Sequence, residues 1–337
     1  MDLGAKTGVM LCGHGSRDGD AIREFQALAR SLGRRLPHYK VESGFLEFAR
    51  PVIRDGLEAL KRGGVRRILA VPGMLFAAGH VKNDVPSELN EFRHANPEIE
   101  LRFGRDLAID ARMLRAAAER VEAALQAAGD TIARADTLLL VVGRGTNDSD
   151  ANSNVSKVAR MLWEGLRLGW AEAAYSGVTQ PLVDAALDRA VRLGFRRIVV
   201  FPYFLFTGVL VKRIYAWTDE AARAHPGIEF VKADYLNDHP LVLDTFVDRV
   251  GEALTGDGNM NCQMCKYREQ IIGFERDRGA PQAGHHHHVR GVGTDDDHGH
   301  HHHDHAHPHD HDHAHPHDHD HAHPHDHADR RGRGGAG

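Results

Sequence analysis

The chain repeats itself at an offset of 130 residues, and this constrains its fold more than any other feature. Gly13-His14-Gly15 answers to Gly143-Arg144-Gly145, and Glu42 to Pro51 aligns with Glu172 to Pro181 without a gap. Gly64-Val65-Arg66-Arg67-Ile68 answers to Gly194-Phe195-Arg196-Arg197-Ile198, Pro72-Gly73-Met74-Leu75-Phe76 to Pro202-Tyr203-Phe204-Leu205-Phe206, and Val81-Lys82 to Val211-Lys212. A period of this size is that of a duplicated domain, not of a solenoid, whose repeats run to some 20–50 residues.

Each copy alternates short apolar runs with amphipathic stretches. The pattern predicts strands near 7–12, 41–46, 67–72 and 99–103, with helices near 19–35, 51–62, 81–95 and 109–127. The second copy repeats it, with strands near 137–142, 173–178, 197–202 and 228–232 and helices near 153–168, 181–193, 209–224 and 239–254. Alternating β and α elements joined by short connections imply a parallel sheet covered by helices on both faces. The fold class is therefore α/β, two tandem doubly wound domains. Pro51 and Pro181 suit first helical turns, and Gly63-Gly64 and Gly194 suit helix C-terminal caps. The expected organisation is a first domain over 1–128 carrying the active site, a degenerate second copy over 136–255, a linker over 256–284, and a low-complexity tail over 285–337.

Composition narrows the function class. The 337 residues suffice for two domains of ordinary size, and the formal net charge of -5 leaves no nucleic-acid footprint. No apolar run approaches the length needed to span a bilayer, and the N-terminus lacks a signal-peptide pattern. Three cysteines, Cys12, Cys262 and Cys265, are too few for a disulfide framework. A cytoplasmic location is expected. Of 27 histidines, twenty-one follow Gly284, which leaves six for the folded part.

Two of those six stand where chemistry is expected. His14 follows the apolar run Gly8 to Cys12 and sits between two glycines, and His80 follows Gly79 just beyond the strand 67–72. In open α/β sheets ligands bind outside the carboxyl ends of strands. A histidine there either caps the next helix or acts as metal ligand or general base. The duplication separates these readings. The second copy keeps the glycines but has Arg144 and Leu210 in place of the two histidines, as though they form one functional unit kept in one copy. Glu47 ends the strand 41–46, and its counterpart is Gly177. It is either a solvated loop carboxylate or a third member of the group. The loop 73–79, with Met74, is apolar enough to line a flat ligand, or its side chains are simply core. Arg17, Arg50 and Lys82 are candidates to meet an acidic ligand's carboxylates, or are solvated surface.

The order Gly-His-Gly-Ser-Arg, then Phe45-Leu46-Glu47, then Pro72-Gly73-Met74-Leu75-Phe76 with Gly79-His80, resembles the class II chelatases, and within them the sirohydrochlorin cobaltochelatases of CbiX type. The duplicated length, the segment Met260-Asn261-Cys262-Gln263-Met264-Cys265 and the histidine-rich tail are similar to the long form of that family. The resemblance implies ATP-independent insertion of Co2+ into sirohydrochlorin during cobalamin biosynthesis, in the branch where cobalt enters early. It implies that His14 and His80 are catalytic and meet the Co2+ during insertion, and it places Glu47 in the same cleft. The chemistry suits these residue types: insertion releases two pyrrole protons, which need a base, and the incoming metal needs a ligand. Imidazole near neutrality serves as either.

The Cys262–Cys265 pair reads as a redox disulfide or as half of a zinc site, and by the resemblance as the seat of an iron–sulfur cluster. A cluster usually takes four thiolates and the pair gives two, so a cluster would bridge two chains in a homodimer. The tail holds three copies of Asp-His-Ala-His-Pro-His-Asp-His, at 304–311, 312–319 and 320–327, which suit transient binding of divalent metal ions or serve only to solubilise. Such a segment cannot bury a core and is expected to be disordered without metal. Two rivals remain at this level: the same chemistry with Fe2+ or Ni2+, and a metal-storage or metallochaperone protein. A two-domain small-molecule binder also suits the fold, but gives no reason for the paired histidines.

Overall fold

The structure, a computed structural model, describes residues 6–279. The histidine-rich tail lies outside the described residues. Eight strands and eight main helices follow in strict alternation. In the first copy these are β1 (Thr7–Gly13), α1 (Gly19–Arg35), β2 (Lys40–Phe45), α2 (Ile53–Arg62), β3 (Arg67–Pro72), α3 (Val85–Ala95), β4 (Glu100–Phe103) and α4 (Ala111–Ala128). In the second they are β5 (Thr137–Gly143), α5 (Ser149–Leu166), β6 (Trp170–Tyr175), α6 (Val183–Arg192), β7 (Arg197–Pro202), α7 (Val209–Ala224), β8 (Glu229–Lys232) and α8 (Pro240–Thr255). The strands form two all-parallel sheets, ordered β2-β1-β3-β4 and β6-β5-β7-β8. The 130-residue repeat is thus a repeat of topology, strand for strand.

The central strands explain the continuous apolar runs. Val9 to Cys12 in β1 and Leu138 to Val142 in β5 are fully buried, because helices cover both faces of each sheet and leave no face for polar alternation. On the outer face of the first sheet, Ile53, Leu57 and Leu60 of α2 pack with Val85, Leu89 and Phe92 of α3. On the outer face of the second, Val183, Ala186 and Leu187 of α6 pack with Ile214 of α7. The inner faces share one core that runs through both copies.

That shared core is closed by an exchange the repeat does not advertise. The last helix of each copy packs on the other copy's sheet: α8 lies over β3 and β4, and α4 lies over β7 and β8. Arg249 of α8, 1% exposed, fixes one crossing. Its Nε donates to Asp106 O at 2.9 Å, its Nη2 to Leu107 O at 2.6 Å and Asp110 Oδ2 at 2.9 Å, and its Nη1 to Glu252 Oε1 at 2.8 Å. A fully buried guanidinium is tolerable only with its donors met in this way.

A few local expectations need correction. Pro51 and Pro181 do not open helices: each follows a cis peptide bond, and α2 and α6 start two residues later. β6 runs over 170–175, not 173–178, because Val178 takes a φ of 68° and belongs to the following turn. α5 begins at Ser149, where Asp148 accepts from the Asp150 and Ala151 amides as an N-cap. The glycine caps are as expected: Gly63 is the C-cap of α2, and Gly64 beyond it and Gly194 beyond α6 each take a φ of 77°.

Candidate active site

The strand order decides which residues meet. In the sheet β2-β1-β3, chain connections leave β1 and β3 in opposite directions, so a crevice opens beyond their carboxyl ends. Glu47 follows β2, His14 follows β1 and His80 follows β3, so three neighbouring strands deliver one side chain each. The turn after β1 holds the pair together. The Glu47 amide donates to His14 O at 3.0 Å and the Leu46 amide to Gly13 O at 2.8 Å. Gly15 has a φ of 106°, and a Cβ there would lie 1.7 Å from Glu47 O. Only glycine lets the two loops approach so closely.

His14 Nε2 lies 3.0 Å from His80 Nε2 and 3.4 Å from Glu47 Oε1. Both rings are held from behind. His14 Nδ1 is 2.9 Å from Gly15 O, and since a carbonyl only accepts, Nδ1 carries the proton. His80 Nδ1 is 2.7 Å from Asp84 Oδ2 and donates to it. Asp84 is 2% exposed, and its Oδ1 accepts from Asn83 Nδ2 at 3.0 Å. His80 and Asp84 are the first and last residues of a π-helical turn, His80–Asp84, that precedes α3. Such turns often mark functional sites.

With both Nδ1 atoms protonated, two Nε2 lone pairs face each other, an arrangement relieved by a shared proton or by a cation. Burial, together with the nearby His80, pushes His14 down from its ordinary value of 6.5 to about 4, so His14 is neutral at pH 7. His14, His80 and Glu47 form the only group of three converging metal-ligand side chains found among the described residues. Bonds of about 2.0–2.1 Å at a tetrahedral angle space two ligand atoms about 3.3 Å apart. The observed 3.0 and 3.4 Å are close to that spacing. A carboxylate behind a ligating histidine, as Asp84 stands behind His80, is the usual support of such a ligand.

His14 and His80 line an open cavity of about 390 Å³ formed by both copies, and Glu47, buried beside His14, is not among the lining residues. Met74, Leu75 and Phe76 form one side, and Phe204, Leu205 and Phe206 form the other. Phe76 stacks on Tyr203 with centroids 5.7 Å apart and planes at 21°. The opposed apolar loops suit a flat, largely apolar guest with a few polar anchors.

The remaining candidates divide. Met74 and Arg17 line the cavity, and Arg17 lies over the Phe48 ring at 4.7 Å. Arg50 is exposed and is not among the cavity-lining residues. Lys82 is committed elsewhere: its Nζ is 2.7 Å from Asp148 and 3.3 Å from Asp150, with the side chain 5% exposed. Its repeat counterpart Lys212 reaches back to Asp18 and Asp20 at 2.7 and 3.0 Å, and is open to solvent. The duplication has therefore produced two reciprocal clamps between the copies, one buried and one exposed. Two residues were missed at the level of sequence. Asp84 was signalled by its i,i+4 spacing from His80, and Arg144 was noted only as a lost histidine.

Cys262 and Cys265 lie in and beside a short 3-10 turn, Cys262–Met264. Cys265 is buried and Cys262 half-buried, while Cys12 is buried in β1. The segment docks on the second copy through Asn261 Nδ2, 3.0 Å from Asp150 Oδ1. Among the described residues no third ligand joins the pair. No described helix is long and apolar enough to cross a membrane.

The CbiX family model matches residues 8–124 and again 138–253. A sirohydrochlorin cobaltochelatase of Priestia megaterium is 35% identical over 267 residues, which cover 78% of this chain and 85% of that protein. A sirohydrochlorin ferrochelatase of the same organism is 27% identical, over 73% of this chain and 90% of that protein. The crystal structure of the sirohydrochlorin chelatase SirB from Bacillus subtilis subspecies spizizenii, in complex with cobalt, superposes with a TM-score of 0.63 at 26% identity, covering 76% of this chain and 98% of that one. Since the family match takes in each copy of the repeat from its first strand into its last helix, the chain belongs to the CbiX family.

Proposed function

We propose that the chain inserts a divalent metal ion, Co2+, into sirohydrochlorin without ATP, giving cobalt-sirohydrochlorin and two protons, as a step of cobalamin biosynthesis. The observation that carries this reading is the convergence of His14 Nε2, His80 Nε2 and Glu47 Oε1 beside a largely apolar cavity that the two histidines line. In this reading the metal is substrate. It enters on the two imidazoles and the carboxylate, while the macrocycle lies between the loops 74–76 and 204–206. As the macrocycle nitrogens bond the metal, the three protein ligands leave it, and two pyrrole N–H protons depart. An imidazole released from the metal is then a base beside the departing proton. Asp84 balances the charge of His80 as it takes that proton, and Glu47 offers a second acceptor. Atoms and charge balance with no redox change: one M2+ enters and two protons depart.

Imidazole and carboxylate do not rank Co2+ above Fe2+ or Ni2+, so the donor set leaves the metal open. The cobaltochelatase relative, at 35% identity against 27% for the ferrochelatase, favours cobalt. A cluster bridging Cys262 and Cys265 of two chains is not required by this reading. The test is anaerobic insertion by the full-length chain, followed by absorbance, with Co2+, Fe2+ and Ni2+ separately and in competition. A specificity constant for Co2+ at least tenfold above the others is expected. Faster insertion of Fe2+ or Ni2+ would overturn the metal assignment. No insertion of any of the three would overturn the chelatase reading and favour a metal-storage protein.

A further inference from the structure

We propose that Arg144 is the cleft's anchor for a carboxylate of the tetrapyrrole and sets the macrocycle's position over His14 and His80. This rests on the chelatase reading above. The two copies place the same turn after their first strands, Gly13-His14-Gly15 after β1 and Gly143-Arg144-Gly145 after β5. The backbone demand is the same in both: Gly145 has a φ of 83°, and a Cβ there would lie 1.9 Å from Gly177 O. The scaffold was kept while the central side chain became a guanidinium. The neighbours that would accompany a histidine changed with it, Glu47 answering to Gly177 and His80 to Leu210. The second copy thus presents a cation at the corresponding strand end, with no carboxylate of its own beside it.

Arg144 is an exposed residue that lines the cavity, and it differs from the arginines that are committed to ion pairs. Arg249, Arg105 and Arg197 each meet a carboxylate at 2.6–2.9 Å. The Arg144 guanidinium makes no ion pair among the described residues, and its one hydrogen bond runs from Nη1 to the adjacent Gly145 O at 3.5 Å. Enough protein surrounds the guanidinium that desolvation already disfavours its charge, and its field reaches His14 and Glu47.

A flat guest filling the cleft would strip water from this group. A cation that loses hydration without gaining an anion is costly, so a guest without an anionic arm at this place would bind poorly. Sirohydrochlorin is rich in carboxylates, and the guanidinium fork accepts a carboxylate in two parallel hydrogen bonds. Arg17, held over Phe48 at the mouth, lies outside this arrangement of strand ends. An anchor on one edge of the macrocycle turns insertion into a reaction between positioned partners.

The test is titration of the full-length chain with sirohydrochlorin in the absence of metal, followed by absorbance, for the wild type, Arg144→Gln and Arg144→Lys. The same series is run with the fully methyl-esterified macrocycle, which keeps the ring and lacks the charges. Arg144→Gln is expected to weaken binding of the acid by about 10- to 100-fold, the worth of a charged hydrogen bond, and Arg144→Lys to recover part of it. In turnover with Co2+, Arg144→Gln should raise KM for sirohydrochlorin by a similar factor. The wild type and Arg144→Gln should bind the ester alike. Equal affinity of wild type and Arg144→Gln for the acid, with wild-type insertion intact, would overturn the anchor alone. Equal losses for acid and ester would also overturn it, since a merely structural role predicts that. A wild type that neither binds nor metallates sirohydrochlorin would overturn the chelatase reading, and the anchor with it.

Discussion

Replacing Asp84 with asparagine keeps the side chain's shape but exchanges an acceptor oxygen for a donor amide and removes the negative charge, which makes it a sharp probe of the proposed metal site. Asp84 is 2% exposed and accepts from two donors, His80 Nδ1 at 2.7 Å and Asn83 Nδ2 at 3.0 Å. An asparagine fits the same space and can still accept from Asn83. Its amide nitrogen then faces His80 Nδ1, and a donor there favours the tautomer with the proton on Nε2. That proton points at His14 Nε2, 3.0 Å away, into the space where the metal would sit. His80 loses its ligand lone pair and the carboxylate that balances its charge. Supporting residues of this kind are worth about 10- to 100-fold in metal affinity or activity, or about 1.4–2.8 kcal/mol. The assay is steady-state Co2+ insertion into sirohydrochlorin, with thermal unfolding as a control for folding. Asp84→Asn should lower kcat/KM for Co2+ by that factor, with Tm near that of the wild type. A folded Asp84→Asn variant within twofold of wild type in both kcat and KM would refute the reasoning.

Other expectations concern the clamps and the loop that carries His80. Lys82→Met removes the cation from the buried clamp and strands Asp148 and Asp150; it should cost about 3–5 kcal/mol in denaturant unfolding, against a smaller loss for Lys212→Met at the exposed clamp. Comparable losses for the two would contradict the difference in burial. Asp106 holds the Ala77 amide at 2.9 Å, and burial raises its carboxyl from 3.8 to about 6. A raised value in the fold favours the folded state at low pH, and that contribution is lost as pH rises through 6. Asp106→Asn should therefore raise stability at pH 7.5 by up to about 3 kcal/mol and flatten the stability profile between pH 4 and 6. Parallel profiles for variant and wild type would rule this out.

The repeat and the alternation of apolar runs made both sheets legible, because buried parallel strands have no polar face and read as unbroken Val, Leu and Ile. The facing histidines, His14 and His80, were legible for a related reason. A histidine beside glycine at a strand end is poor core, and its loss from the second copy marked it further. The exchange of α4 and α8 was not legible: an amphipathic helix records that it has a buried face, not whose sheet that face meets. Lys82 was misread because its partners, Asp148 and Asp150, lie 66 and 68 residues away and only the fold brings them near. Asp84 was within reach, four residues after His80, but an aspartate on a polar helix start draws no notice until its burial is known. The positive φ at Val178 defeats the local preference of a β-branched residue, so no local rule would have ended β6 where it ends.

The most direct test of the central claim, that His14 and His80 together receive the metal for transfer to the tetrapyrrole, is the rate of Co2+ insertion into sirohydrochlorin by full-length wild type, His14→Ala and His80→Ala under anaerobic conditions. Insertion by the wild type and its loss in each variant, with sirohydrochlorin binding retained, is the expected result. Insertion by either variant at the wild-type rate would contradict it.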